Sequence, residues 1–321
     1  MLTIDDLKMF RALGGTGSLA GAAREMNVTP PALTVRLRRL EERLGIHLAV
    51  RGARGVSLTD EGRRLLDESL DLLQRIDTLP ERIGGGAHAL RGPLRVVAPF
   101  GFGREYIAPV LGRLHLAHAD LSVTLTLSEN PMADAAAHDV VVFIGAVRDS
   151  SWVGHVLAPN ERFLCASPAF LRQLDEPISD PSHLSRHPCI CLKENDDAVT
   201  RWRFTGGEGV EGGEGGEGRE GASRVVNVRV DGALASNDGA VVTRWAVDGL
   251  GIVVRSEWEA APLIASGALV RLLPRWRLDP APVMALVPSR KGMSARLRRL
   301  IDVTRETLEP VPWRLDAAGR R

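Results

Sequence analysis

Apolar residues recur at helical spacing in two short stretches near the start of the chain. The first stretch follows Ser18, a residue type that caps helix N-termini, and its apolar positions are Leu19, Ala22, Ala23 and Met26. Asn27 and Val28 break the pattern, and Thr29-Pro30 restart it as a cap followed by a proline in the first helical turn. The pattern predicts two short helices joined by a tight turn.

The second predicted helix has two unlike faces. One arc is apolar and contains Leu33, Leu37, Leu40 and Leu44. The opposite arc is small, polar and cationic, and contains Pro31, Thr34, Val35, Arg38 and Arg39. This division is typical of a helix in the DNA major groove, because small residues allow close approach while Arg and Thr supply hydrogen-bond donors.

The segment 45–58 contains three glycines and carries Arg51 and Arg54. This composition predicts a two-stranded wing whose arginines contact DNA phosphates. Residues 33–54 hold six arginines against two glutamates, whereas the whole chain has 41 basic and 40 acidic residues. A solvated amphipathic helix with an Arg-rich face is the other interpretation. The order of helix, turn, helix and wing favours DNA binding. The predicted DNA contacts are Ser18, Thr29, Pro30, Pro31, Thr34, Val35, Arg36, Arg38, Arg51 and Arg54.

Residues 59–88 are predicted to form one long helix. Its apolar residues repeat every seven positions, as Leu65-Leu72-Leu79, Leu66-Leu73 and Ile76-Ile83. Such a stripe indicates a coiled-coil seam between two chains, although it could instead pack on its own domain. Pro80 predicts a bend, because it removes a backbone donor, and the glycines at 84–86 predict a hinge.

From Gly92 the order becomes strand, helix, strand, which predicts an α/β domain with parallel strands covered by helices. Ligands bind beyond the carboxyl ends of such strands. The predicted effector-binding residues are Pro99, Phe100, Gly101, Glu129, Arg201, Asn237 and Asp238. Asn130 is a further candidate. Ser236 or Asn237 could equally serve only as the N-cap of the next helix, predicted at 240–247.

The chain resembles the LysR-type transcriptional regulators. The residues that carry the resemblance are Leu7, Phe10, Ser18-Leu-Ala-Gly-Ala-Ala, Thr29-Pro-Pro-Ala-Leu-Thr, Leu40-Glu-Glu-Arg-Leu-Gly, Arg51, Leu58-Thr-Asp-Glu-Gly62, Ala158-Pro-Asn, Cys165-Ala-Ser-Pro, Ser236-Asn-Asp-Gly and Gly249-Leu-Gly-Ile. The motifs stand in the family's order over residues 2–308. Two departures are Ala49, where the family usually has an aromatic residue, and the Pro30-Pro31 pair, and they concern wing packing and base preference.

The resemblance implies an α/β protein overall, with an N-terminal winged helix-turn-helix, a linker helix and a two-lobed periplasmic-binding-protein-like α/β effector domain. Its implied bounds are 1–58 for DNA binding, 59–91 for the dimerisation helix and hinge, 92–308 for the effector domain and 309–321 for a tail. Lobe one would be 92–160 plus 266–308, and lobe two 161–265.

The function implied is sequence-specific regulation of transcription, switched by a small molecule bound between the lobes. The family's subgroup with Ser236-Asn-Asp-Gly and Arg255-Ser-Glu-Trp258 often responds to small organic acids. Promoter DNA, a second copy of the chain in a dimer or tetramer, and RNA polymerase are the implied partners. The alternative is an architectural or constitutive DNA binder whose effector cleft is not functional.

Other function classes find little support in the residues. The histidines are scattered and form no nucleophile elbow, phosphate loop or zinc motif, so neither an enzyme nor a cofactor is predicted. Cys189 and Cys191 alternate as buried strand residues do, and no metal site is predicted. No run of about 18 apolar residues exists, and a cytoplasmic location is expected. The Gly/Glu-rich insert 206–221 is predicted to be a disordered hairpin tip.

Overall fold

The N-terminal unit is built from three helices and a hairpin. The computed structural model describes residues 2–52, 55–83, 90–146, 152–194, 197–206, 224–288 and 293–314. In the N-terminal unit, residues 2–58, the elements are α1 (Ile4–Thr16), α2 (Leu19–Glu25), α3 (Pro30–Leu44), β1 (Ala49–Gly52) and β2 (Gly55–Leu58). The predicted helix-turn-helix with its wing is therefore confirmed.

Each helix of the N-terminal unit begins at a capping side chain. The hydroxyls of Thr3, Ser18 and Thr29 accept hydrogen bonds from the backbone amides of Asp6, Gly21 and Ala32. Helix α3 ends at Gly45, whose φ of 68° needs a residue without a side chain. Three of the four apolar residues predicted for α3 are buried in the core of the unit, whereas Leu44 is 39% exposed. The core is formed by Met9, Phe10, Ala12, Leu13, Ala22, Ala23, Leu33, Leu37, Leu40, Leu48 and Leu66.

The wing is tied to both helices beside it. One carboxylate oxygen of Glu41 accepts hydrogen bonds from the amides of Leu48 and Ala49, at 2.7 and 3.2 Å. Ala49, which replaces the family's usual aromatic residue, is half-buried against the helical core. A Cβ at Gly62 would lie 1.9 Å from the Leu48 carbonyl oxygen, so only glycine allows the next helix to start here.

Helix α4 (Asp60–Ile83) splits the predicted heptad stripe between two surroundings. Leu66 and Leu73 are buried, and Leu66 packs into the core of the N-terminal unit. Leu72, Ile76 and Leu79 are between 42% and 49% exposed. The stripe is thus divided, since Leu66 packs on the N-terminal unit while Leu72, Ile76 and Leu79 face outward. The helix continues past Pro80, and the predicted hinge at 84–86 lies outside the described residues.

The sheet domain, residues 92–314, alternates strands with helices. Its strands are β3 (Gly92–Pro99), β4 (Leu121–Ser128), β5 (Val140–Ile144), β6 (Trp152–Ala158), β7 (Arg162–Ala166), β8 (Cys189–Glu194), β9 (Asp197–Ala198), β10 (Arg201–Gly206), β11 (Arg224–Arg229), β12 (Leu234–Ser236), β13 (Ile252–Ser256), β14 (Val270–Leu272), β15 (Trp276–Leu278) and β16 (Val283–Pro288). Its helices are α5 (Phe100–Phe102), α6 (Ala108–Ala117), α7 (Pro168–Leu171), α8 (Gly239–Val247), α9 (Glu257–Ala265) and α10 (Ala295–Thr307).

Two separate sheets define two lobes, as predicted. Lobe one has the strand order β4-β3-β5-β16-β6, with β3 parallel to both β4 and β5. Lobe two has the order β12-β8-β13-β7-β14, in which β8 is parallel to β12 and β13. A three-stranded sheet, β11-β10-β15, completes lobe two. Its β10–β11 hairpin is formed by the two strands predicted on either side of the insert. Residues 207–223, which include all of the insert after residue 206, lie outside the described residues.

The predicted boundary between the lobes at 265/266 is wrong. Strand β14 pairs with β7 and β15 pairs with β10, so both strands belong to lobe two. The chain returns to lobe one only at β16, which pairs with β5 and β6. The error has a simple cause, because strands as short as three residues give little periodic signal.

Two helical segments also differ from the sequence-based expectation. The helix predicted at 105–118 begins at Phe100 and runs through a π-helical turn (Gly103–Ile107) into α6. Gly103 allows this turn to pack on β4, because a Cβ at Gly103 would lie 2.4 Å from the Leu127 side chain. The first residues of the predicted tail, 309–314, are packed on the domain, since Trp313 is buried in the core of lobe one. Residues 315–321 lie outside the described part. None of the described helices is long and apolar enough to cross a membrane.

Helix α1 and helix α3 are joined by a buried carboxylate. Asp6 is 3% exposed and forms ion pairs with Arg43 at 2.8 Å and with Arg36 at 3.3 Å. Burial by itself would raise the pKa of Asp6, but hydrogen bonds from Thr3 and the two guanidinium groups outweigh it and lower the pKa below its ordinary value. The carboxylate therefore stabilises the contact between the two helices.

We predict that Asp6→Asn lowers the free energy of unfolding at pH 7 by about 1.5–3 kcal/mol, the usual contribution of hydrogen bonds to a charged group. Because the folded pKa of Asp6 is lowered, its contribution is complete above the unfolded pKa, and is lost as the pH falls through the folded one. Urea denaturation from pH 7 to pH 2 measures this difference. Asp5→Asn, at an exposed ion pair, is the control and should change little. An Asp6→Asn deficit that stays constant with pH would contradict the assignment.

Candidate DNA-binding surface and effector cleft

Helix α3 presents one exposed face that carries most of the predicted DNA contacts. Pro30, Pro31 and Arg38 are exposed, Val35 is 48% exposed and Thr34 is half-buried. An open groove of about 950 Å³ lies between this face and the start of α1, and Thr3, Val35 and Arg39 are among the residues that line it. A convex helix with small residues and arginines on its free side has the shape and the donors that base edges require.

Two arginines of α3 differ in how they are held. Arg36, predicted to reach phosphate, forms ion pairs with Asp5 and Asp6 at 3.3 Å each, so its guanidinium group links α3 to α1. Among the residues that the structure describes, Arg38 pairs only with Glu42, at 2.9 Å, and both side chains are more than half exposed. An exposed i,i+4 pair contributes only about 0.3–0.5 kcal/mol, so Arg38 leaves it at little cost.

The remaining predicted DNA contacts flank α3. Ser18 and Thr29 use their hydroxyl oxygens as helix caps, which leaves each O–H group able to donate to a phosphate. Arg51 lies on β1 opposite Val56, at the free end of the wing, and its side chain is outside the described part. Arg54 lies outside the described residues altogether.

The two lobes meet where strands β3, β4 and β12 end. Pro99 and Ser128 pair at the last positions of β3 and β4, which brings Phe100 and Gly101 close to Glu129. From lobe two, the Asn237 side-chain amide donates a hydrogen bond to the Glu129 carboxylate, and α8 lies against α5. The structure therefore gathers six of the seven predicted effector residues at one cleft.

The seventh predicted residue, Arg201, lies elsewhere. It stands on β10, in the three-stranded sheet of lobe two, and its side chain is exposed. Its strand partner is Arg229, and no contact of the described residues connects it with Glu129 or Asn237. Arg201 was chosen for its charge, and charge does not reveal which sheet a strand joins.

Residues 236–239 show which side chain caps α8 and which reaches the other lobe, the two roles that the sequence left open. Asp238 is the N-cap of α8 and accepts a hydrogen bond from the Ala240 amide at 2.7 Å. The Ser236 hydroxyl accepts one from the Asp238 amide at 3.2 Å. The capping role therefore belongs to Asp238, and the Asn237 side chain is left to cross the cleft.

An aromatic cluster closes the inner end of the cleft. Trp258, on α9 of lobe two, has its ring edge against Gly101, where a Cβ would come within 2.8 Å of the Trp258 ring. The ring centroid of Trp258 lies 5.6 Å from that of Phe102 and 6.0 Å from that of Tyr106. Burial, together with Glu105, raises the pKa of Tyr106. The indole thus packs across the lobe boundary.

A buried polar group joins the two chain crossings between the lobes. Asn160, 3% exposed, donates its side-chain amide to the Ala281 carbonyl at 2.7 Å and accepts from the Trp258 backbone amide at 3.2 Å. Beside it, the buried Glu257 carboxylate accepts from the Glu161 amide at 3.0 Å and from Arg314 at 2.7 Å through both oxygens. These residues define a hinge between the lobes.

Sequence reasoning did not assign this hinge. Ala158-Pro-Asn160 was visible only as a motif of the resembling family, and Glu257 and Trp258 only as part of the motif Arg255-Ser-Glu-Trp258, without a stated role. The available signal for a buried polar junction was Glu257, a charged residue directly after the buried strand β13. Its meaning depends on Arg314, which is 57 residues away along the chain.

The cysteines belong to the core of lobe two. Cys165, Cys189 and Cys191 are free and buried. Burial raises the pKa of the Cys165 and Cys189 thiols to about 12 and that of Cys191 to about 11. At neutral pH these side chains are therefore uncharged thiols, which pack as small apolar groups.

Comparison with protein families places both parts of the chain. Residues 4–63 match the bacterial regulatory helix-turn-helix proteins of the lysR family, and residues 87–309 match the LysR substrate binding domain. The transcriptional regulator DmlR of Escherichia coli K12 is 32% identical over 305 residues, 94% of this chain and 94% of DmlR. The transcriptional activator TtdR of the same strain is 34% identical over 272 residues, 84% of this chain and 83% of TtdR.

Solved structures of full-length proteins share the fold. The virulence activator AphB of Vibrio cholerae superposes with a TM-score of 0.57 at 22% identity, covering 94% of this chain and 98% of AphB. CrgA of Neisseria meningitidis, a LysR-type transcriptional regulator, gives 0.55 at 21% identity, covering 96% of this chain and 99% of CrgA. With both domains matched in order along one chain, this protein belongs to the LysR family of transcriptional regulators.

Proposed function

We propose that the chain works as a dimer or tetramer that reads a two-fold promoter site with paired α3 helices, and that a small organic acid in the cleft switches this binding. The exposed face of α3 carries the proposal, because Val35 and Arg38 are exposed on it while Leu33, Leu37 and Leu40 anchor the helix in the core. The resemblance supports the cytoplasm as the location and RNA polymerase as a further partner.

In this proposal the contacts of α3 and the wing divide between bases and phosphates. Thr34, Val35 and Arg38 face base edges, since they lie on the free side of the helix. Ser18, Thr29, Arg51 and Arg54 approach phosphate from its flanks. Arg36 instead links α3 to α1 through its ion pair with Asp6, and so positions α3 without touching DNA.

The dimer is supported by the outward row of α4. Leu72, Ile76 and Leu79 follow one another at intervals of four and three residues, which is the spacing of a coiled-coil seam. An exposed apolar row on a helix that leaves the N-terminal unit is a surface that a second copy of the same helix would cover.

The organic-acid effector is supported by the ends of two helices. The helical segment 100–117 and α8 begin beside one another on opposite lobes, and the free amides at a helix start favour a carboxylate. Asn237 offers a side-chain amide between them. A ligand that bridges these groups would change how the lobes close.

For DNA binding we expect Arg38→Ala to relax sequence preference, reducing discrimination at one base pair by about 1–3 kcal/mol. Arg54→Ala should weaken all sequences alike and reduce the salt slope by about one. Fluorescence anisotropy with duplexes from the adjacent intergenic DNA, at several salt concentrations, measures both. Salt-sensitive binding without sequence preference in the wild-type protein would exclude a sequence-specific regulator.

For assembly we expect Ile76→Asp to convert the dimer to a monomer, because a carboxylate in an apolar seam is left without a partner. Sedimentation velocity gives the molecular mass directly. Val225→Asp, at another exposed apolar position outside α4, serves as the matched control and should leave the mass unchanged. An Ile76→Asp protein that remains dimeric would show that α4 is not the seam.

For the effector we expect one member of a panel of di- and tricarboxylic acids to raise the unfolding temperature. At a hundredfold excess over Kd the stabilisation amounts to about 2.7 kcal/mol. Asn237→Ala should abolish the shift, whereas Arg201→Ala, on another sheet, should preserve it. If no acid stabilises the chain while DNA binding is intact, a constitutive DNA binder is the better description.

A further inference from the structure

The N-terminal unit and lobe one touch at the end of helix α1. Gly15 lies against Ala137, so closely that a Cβ at Gly15 would come within 2.4 Å of the Ala137 Cβ. Ala137 belongs to a 3-10 turn (Ala135–Ala137) that packs along α1. The neighbouring Gly14 faces Leu66 of α4 with equal closeness. The end of α1 is therefore held between its linker helix and the sheet domain.

The turn that receives α1 is firmly held on lobe one. Ala135 is 6% exposed and packs on the sheet against Val97, Val141 and Leu286. The His138 ring lies 2.6 Å from the Asp134 carbonyl oxygen through Nδ1 and 2.8 Å from the Thr126 hydroxyl through Nε2. Because a carbonyl oxygen only accepts, Nδ1 carries the proton and, in the neutral ring, Nε2 accepts from Thr126. The turn is thus fixed to lobe one by packing and by hydrogen bonds.

The same segment reaches the effector cleft at its other end. Ser128 is 7% exposed, and its hydroxyl donates to the Asp134 carboxylate and accepts from the Asn130 amide at 3.0 Å. The residue between them, Glu129, receives the hydrogen bond from Asn237 of lobe two. Residues 128–138, which we name the 128–138 segment, therefore connect the lobe boundary to α1 through side-chain bonds of their own.

We propose that the 128–138 segment couples closure of the lobes to the position of the N-terminal unit. A change of lobe angle displaces Glu129 through Asn237, and the Ser128–Asp134–His138 bonds carry that displacement to Ala137 and so to Gly15. Helix α1 in turn holds α3 through Asp6. This inference rests on the proposed function, since it supplies the route from the cleft to the DNA-reading helix.

Thermodynamic linkage makes the proposal testable without an effector, because a coupling between two ends must act in both directions. Breaking the contact at Gly15 should loosen the cleft, and breaking the contact at Asn237 should loosen the end of α1. Hydrogen–deuterium exchange of the full chain, followed by mass spectrometry of peptides, measures both ends in one experiment.

In Gly15→Ala, we expect exchange in peptides covering 128–131 and 235–239 to accelerate on the order of threefold or more, together with local changes near α1. Gly112→Ala is the matched control, because it also adds a methyl group to a glycine within a helix and meets nothing within 4 Å. It should leave all of these peptides unchanged. The reverse variant, Asn237→Ala, should accelerate exchange in the peptide covering residues 10–18.

Adding Ala137→Gly to the Gly15→Ala chain separates coupling from unfolding. This second change removes the methyl group that the new Cβ meets, so exchange at the cleft should return to the wild-type rate. Changes confined to residues 10–20 and 133–138, or an Asn237→Ala effect confined to the cleft, would overturn the proposal. A failure of sequence-specific DNA binding would overturn the proposed function instead, and would leave the exchange result to judge the coupling.

Discussion

Helix α1 can pack closely on both the linker helix and lobe one because Gly14 and Gly15 have no side chains. At these positions a Cβ would lie 2.4 Å from Leu66 of α4 and 2.4 Å from Ala137 of lobe one. The opposite end of the helix carries Asp6, which holds α3 through Arg36 and Arg43. The helix that supports the DNA-reading face is thus the same one that contacts the linker and the sheet domain.

The sheet domain meets a second constraint, since its two lobes are joined by buried polar groups. Asn160 and Glu257 are nearly inaccessible, and each satisfies backbone groups where the chain crosses between the lobes. Burying such groups is unfavourable unless every one is paired, so the hinge has few geometries available to it.

The DNA-binding half was largely predictable because its signals are local. Capping by Ser18 and Thr29 and the apolar spacing of Leu33, Leu37 and Leu40 lie within a few residues of the structure they specify. The lobe boundary was predictable in part, since the strand ends and the Asn237-Asp238 pair named from the sequence lie where the two lobes meet. Arg36 was assigned to phosphate, whereas its partners Asp5 and Asp6 lie some thirty residues away in sequence.

The sequence by itself determined the order of units, the two-faced α3 helix, the wing and the alternation of strands and helices. Only the tertiary structure decided which row of the α4 stripe is buried, that β14 and β15 belong to lobe two, and that Arg201 lies away from the cleft. The reason is physical. Periodicity states which side of a segment is apolar, but its partner is chosen by contacts between distant residues, such as Asn237 with Glu129, 108 positions apart.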